Sequence, residues 1–205
     1  IVVTAKRGHS AEQIRDQLLA LTPLESTFAA SLVALDEDRV VAVLSFYSFD
    51  RRVRSERLER TLAGIGHVET RHGRYRGAML NDDGYALPPI IGIKLDGSPG
   101  FADIPDTDGG RWDGDTEHDR AVGPMQFIPE SWNKYGRDAN GDGVADPNQI
   151  DDAAVAAARL LCETGGDLSE AENWQRAVMS YNASQQYLTD VRDAAAAYAV
   201  GTTAP

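Results

Sequence analysis

The sequence has 205 residues, 42% of them hydrophobic and 25% charged, enough apolar mass to enclose one sizeable core. A formal charge of -12 argues against a nucleic-acid binder, which needs clustered Lys and Arg to displace counterions from phosphates. No apolar run approaches the roughly 20 residues that span a bilayer, and the opening IVVTAKRGHS has neither a basic nor an apolar leader region.

In chain order, the first helix-start signals are Ser10 with Gln13, and Thr22 with Pro23 and Glu25, so residues 1–54 are expected to be a helical segment packed on the body. Within it, DRVVAVLSFYSF has the β-branched and aromatic density of a strand, at a length that leaves a helix open. Ser55 then caps a helix that Gly73 ends. On its wheel, Leu58, Leu62, Ile65 and Glu69 fall in one narrow arc, so an acid occupies the apolar stripe. Such an acid snorkels to water, pairs with a buried Arg or His, or sits in a cleft with a raised pKa. The helix dipole in the last turn and desolvation both push the pKa up, which is what a general acid needs. Tyr75, just beyond, carries a flat aromatic ring able to stack on a ligand.

Residues 77–121 are rich in Gly, Pro and Asp and read as an irregular insertion, with IIGIKL able to pair as a small hairpin or sheet. Between Asp103 and Asp152 there are thirteen Asp or Glu against four Lys or Arg, either a solvated surface or the surroundings of a cation. GPMQFIP reads as a turn entering a helix at Pro129. The helix DDAAVAAARLLCETGG opens at Asp151 or Asp152 and closes at Gly165 and Gly166. Cys162 in it cannot make an intrachain disulfide and reads as a small buried hydrophobe. Ser169 with Glu172 opens AENWQRAVMSYNAS, Asn182 to Ser184 break it, and QQYLTDVRDAAAAYA follows before a short tail at 201–205.

DANGDGVADPNQ begins like an EF-hand loop, with Asp138, Asn140 and Asp142 at positions one, three and five. Gly143 permits the sharp turn, Val144 offers a carbonyl and Asp146 stands at position nine. Position twelve is Gln149 where a bidentate Glu is expected, which weakens the cage unless Asp151 or Asp152 reaches round. Calcium, sodium or an ion-free Asx turn all stay open, and in each case the loop is a brace without a chemical role.

GHVETRHGRY, AVGPMQFIPESWNKYG, DANGDGVADPNQIDDAAVAAARLLC and AVMSYNAS, in that order, closely resemble the B-type lytic murein transglycosylases and their actinobacterial relatives, which cleave bacterial peptidoglycan. The resemblance runs from about Ser55 to Tyr198. It implies a mainly α (α+β), lysozyme-like domain over 55–200, with the insertion at 77–121 and the EF-hand-like loop at 138–149. It implies that Glu69 is the lone acid/base, cutting between N-acetylmuramic acid and N-acetylglucosamine to leave a 1,6-anhydro sugar, with no cofactor needed for the chemistry and calcium at most structural. Gln126, Tyr181 and Asn182 match the family's substrate-contacting Gln and its Tyr-Asn pair; Gln126 can offer both donor and acceptor to an acetamido group. The partners implied are glycan strands, with no nucleic acid, and the chain is expected to act as a monomer in the envelope or outside the cell, its export signal already removed. Actinobacterial members often carry a second cysteine upstream that could pair at the position of Cys162, and it is absent here. A hydrolytic muramidase of the same fold and a non-catalytic glycan-binding or calcium-loop module are the rival readings.

Overall fold

The computed structural model describes residues 56–200 and 204, together with the backbone of 30–36 and 39–46. The helix starts expected at Ser10, Thr22 and Ser55 lie outside the described residues. Part of the segment expected to be helical is instead a hairpin, with β1 (Ala30–Asp36) antiparallel to β2 (Arg39–Phe46) and a register irregularity at Ala34/Leu35. Val33, Val40, Val41 and Val43 explain the difference, since branching at Cβ favours extended backbone.

Helix α1 (Glu56–Thr70) follows, then two short ribbons: β3 (Met79–Leu80) with β4 (Ala86–Leu87), and β5 (Ile91–Lys94) with β6 (Arg120–Val122), both antiparallel. The strand expected in IIGIKL is β5, and its partner comes from the far end of the insertion. Helices α2 (Pro129–Tyr135), α3 (Ile150–Gly165), α4 (Ala171–Tyr181) and α5 (Gln185–Ala199) complete a mostly helical body.

The core forms around α3. Ala153, Ala156, Ala157, Leu160 and Leu161 repeat at helical spacing and are buried against Ile65, Val178 and Val191 from α1, α4 and α5. The helix is opened by Gln149, whose side chain accepts from the Asp152 amide, and not by an aspartate. The capping box expected from Ser169 and Glu172 does not form; the N-cap is Glu170, without a side-chain cap bond. Helix α5 is capped by Ser184, which accepts from the Tyr187 amide. It crosses α1 closely because Gly64 has no side chain: a Cβ there would lie 2.8 Å from the Val191 carbonyl oxygen. That approach brings one face of α5 onto the end of α1 that carries Glu69.

Candidate active site

Glu69 sits in the last turn of α1, partly buried. Its carboxyl has lost so much water that its pKa is pushed up to about 7, although the hydrogen bond from Tyr187 pulls the other way. Tyr187, in the first turn of α5, donates from its hydroxyl to Glu69 Oε1 at 2.6 Å. Burial first, and the Glu69 charge second, hold the Tyr187 phenol well above its ordinary pKa, so it remains a donor.

The chain turns sharply after the acid. Arg71 and His72 take left-handed φ values of 53° and 58°, uncommon for residues with a Cβ, before Gly73 at 79°. Thr70 fixes this turn by donating to the Pro124 carbonyl at 2.6 Å and accepting from the Gly73 amide at 2.8 Å. The His72 Nε2 and the Tyr198 hydroxyl lie 2.6 Å apart, and that hydroxyl is 3.3 Å from His67 Nδ1. Burial, then the nearby His67 and Arg74, lower the His72 pKa to about 4, so the ring stays neutral at ordinary pH. Two tyrosines eleven residues apart on one face of α5 therefore grip the end of α1, one at the acid and one at the turn behind it.

Glu69 opens into a pocket of about 380 Å³ whose walls include His67, Arg71 and Tyr75 on one side and Asp190 and Asp193 of α5 on the other. Tyr75 is 37% exposed, with Arg76 stacked on its ring. Tyr181 lies close by: its ring stacks on Tyr187 with centroids 6.4 Å apart, and its hydroxyl donates to the Met125 carbonyl at 2.7 Å. Gln126 belongs to the same loop as Met125 and Pro124, yet it is not among the residues lining this pocket. Its φ is 49°, its amide donates to the Gly123 carbonyl at 3.0 Å, and its Oε1 faces Gly92. Asn182 is exposed and forms the C-cap of α4. Tyr187, Thr70, His72 and Tyr198 complete the arrangement and are absent from the sequence-derived set. The one available signal for Tyr187 is its place three residues after the capping Ser184.

The acidic loop has a different character. Asp138 accepts from the Gly141 and Gly143 amides at 2.7 and 2.8 Å. Asp142 accepts from Tyr85, Asn140 and the Val144 amide, and Asp146 from the Asn148 amide. Buried Asp152 collects the amides of Ala139, Asn140 and Asp146. The side-chain oxygens of Asp138, Asn140, Asp142 and Asp146, four of the five residues expected to ligate an ion, thus face donors within and around their own loop. Among the described residues, the acids whose oxygens gather within 4.8 Å of one another are Asp106, Asp108 and Asp119 in the insertion. Their oxygens are also met by donors, including the Thr107 amide and hydroxyl on Asp119 and three successive amides on Asp108.

Residues 118–197 match the family model described as Transglycosylase SLT domain. The matched segment contains Gln126, Tyr181, Asn182 and Tyr187 and begins after Glu69. The chain is also 95% identical over 40 residues to a protein named Topoisomerase subunit TopoM from Mycolicibacterium smegmatis (strain ATCC 700084 / mc(2)155). That stretch is 20% of this chain and 6% of the other protein, so the chain spans only a small fraction of that relative. No solved structure matches. None of the described helices is long and apolar enough to cross a membrane. Residues 118–197 are thus similar to a transglycosylase SLT domain, and the mostly helical body that contains them is consistent with the lysozyme-like fold of such domains.

Proposed function

We propose that the chain is a B-type peptidoglycan lytic transglycosylase that cuts the bond between N-acetylmuramic acid and N-acetylglucosamine, with Glu69 as its only acid/base. The observation that carries this reading is a carboxylic acid with a pKa near 7, held by one phenol, opening into a pocket. Near neutral pH about half of such groups carry the proton. Tyr187 occupies Oε1, which leaves the proton on Oε2 for the glycosidic oxygen. As that proton transfers, the bond from the muramic anomeric carbon to the leaving oxygen breaks. The Glu69 carboxylate, steadied by the same Tyr187 hydroxyl, then takes the proton of the muramic C6 hydroxyl while its oxygen closes on the anomeric carbon. The products are a 1,6-anhydro end and a free N-acetylglucosamine end, and no water is consumed.

Tyr75 is suited to stacking on a sugar, and Tyr181 orders Tyr187 through their stacked rings. Gln126 and Asn182 act further along the groove, on acetamido groups. The loop at 138–149 is a brace in this reading, and no catalytic step passes through it. Its donors would have to turn away before Asp138, Asn140, Asp142, Val144 and Asp146 could enclose calcium. The site of action is the cell envelope or its exterior, where the polymer is.

Mass spectrometry of digested sacculi tests the proposal. Wild type should release anhydro-muropeptides and Glu69→Gln should not. Products one water heavier would make the protein a muramidase instead, and an equally active Glu69→Gln would remove the acid from the chemistry.

A further inference from the structure

The pocket beside Glu69 is lined unevenly by charge. Arg71 and the ring of His67 both stand at the end of α1 or on the turn after it. Its other acids, Asp190 and Asp193, both stand on α5, three residues apart and so on one face. The neighbours that hold these acids are on their own helix: Gln186 donates to Asp190 at 2.8 Å, and Arg192 pairs with Asp193 at 2.8 Å. They are thus kept at the wall and not drawn across to Arg71.

Cleaving a glycosidic bond requires none of these four side chains, because the sugars themselves present hydroxyl and acetamido groups. The turn that carries this wall is nonetheless set firmly. Tyr198 bridges His67 and His72, and Arg71 is held in its left-handed conformation by the bond from its amide to the His67 carbonyl at 2.9 Å. A wall that offers the Arg71 guanidinium and the His67 ring, opposite a wall with two carboxylates, matches a ligand that carries both signs of charge a few bonds apart.

We propose that this pocket seats a peptide branch of the glycan bearing a free carboxylate and a free side-chain ammonium, with Arg71 and His67 toward the carboxylate and Asp190 and Asp193 toward the ammonium. The inference rests on the reading of the Glu69 pocket as a glycan site, and it adds the substrate class: strands whose stems keep an unblocked amine. Such a site discriminates stems already linked or acetylated through that amine from stems that are still free.

Calorimetry with the Glu69→Gln chain tests it without turnover. Three muropeptide probes serve: one with free amine and free carboxylate, one acetylated at the amine, and one amidated at the carboxylate. The doubly charged probe should bind about fivefold more tightly than either blocked probe, the scale of a solvent-accessible charge pair. Adding Asp190→Asn with Asp193→Asn should erase sensitivity to acetylation and leave sensitivity to amidation. Adding Arg71→Asn, a residue that tolerates the left-handed backbone, should do the reverse. Equal affinities for the three probes overturn the proposal even if wild type cleaves sacculi. The expected preference upholds it even if wild type cleaves nothing, a result that would sink the catalytic reading alone.

Discussion

Two carboxylates in this protein receive the same hydrogen bond and respond oppositely. Tyr187 donates to Glu69, and Tyr85 donates to Asp142, each at 2.6 Å. The Glu69 pKa rises to about 7, whereas Asp142 is held below the ordinary carboxylate range, first by Tyr85 and then by Asn140 and the Val144 amide. In both places the phenol favours the charged form, so the hydrogen bond is not what separates them. The difference is water. Asp142 is exposed on a loop of amide donors, while Glu69 sits on the apolar stripe of a helix under α5. A proton donor is produced here by what is removed from around the acid, and a structural brace by what is added.

The sharpest way to break that contrast is Glu69→Gln, which keeps an acceptor for Tyr187 and removes the proton. Turnover should fall by roughly two to four orders of magnitude, the usual contribution of a general acid. Stability should move the other way. The folded pKa of Glu69 is above its unfolded value near 4.5, so the wild-type fold carries no penalty below that pH and a growing one as pH rises through about 7. Thermal unfolding at pH 8 should find Glu69→Gln the more stable chain, and the gap should close by pH 4.

On the brace side, the largest effect belongs to Asp152. Its carboxylate accepts from three amides of the loop, and Asp152→Ala leaves these buried or partly buried donors without a partner. The expected cost is about 3 kcal/mol in denaturant unfolding. Turnover per folded molecule should hold, because the loop has no part in the chemistry. A comparable loss of turnover would mean that the loop shapes the groove directly.

Tyr187→Phe comes next and carries an informative sign. It removes the one interaction that lowers the Glu69 pKa, so the alkaline fall in activity should move to higher pH by roughly half a unit to one unit. The rate at the optimum should still drop about tenfold, since the carboxylate formed after proton donation loses its donor. A fall that moves to lower pH would mean that Tyr187 raises the acid's pKa.

These predictions turn on contacts that the sequence reveals unequally. Glu69 is legible because its oddity is local: one helical period exposes an acid among Leu58, Leu62 and Ile65. Tyr187 is not, because its bond to Glu69 spans 118 positions and depends on the angle at which α5 crosses α1 at Gly64. Tyr181 and Tyr187 flank the same break between helices, and only the crossing decides which hydroxyl reaches the acid and which reaches Met125. Gln126 illustrates the converse. Its residue type suits a sugar, but a left-handed backbone turns its amide onto Gly123. In the acidic loop the spacing of Asp138, Asn140 and Asp142 specifies the residue types an ion requires and says nothing of where their oxygens point. Asp152, legible only as a helix opener or spare ligand, is the buried anchor of that loop.

Tyr85→Phe is the smallest of these changes and isolates the hydrogen bond from burial. Its hydroxyl reaches Asp142 at the protein surface, and the carboxylate holds the phenol pKa up to about 12. Solvent screens the pair, and Asn140 and the Val144 amide still hold Asp142 once the phenol is gone. Stability should therefore change by only a few tenths of a kcal/mol, within the range of exposed polar pairs. The Asp142 pKa should rise toward the ordinary value, which NMR titration of the carboxylate can follow. Turnover should be unaffected. Placed beside Tyr187→Phe, the variant removes an identical bond from an identical functional group, so any difference in outcome measures what water exclusion contributes at Glu69.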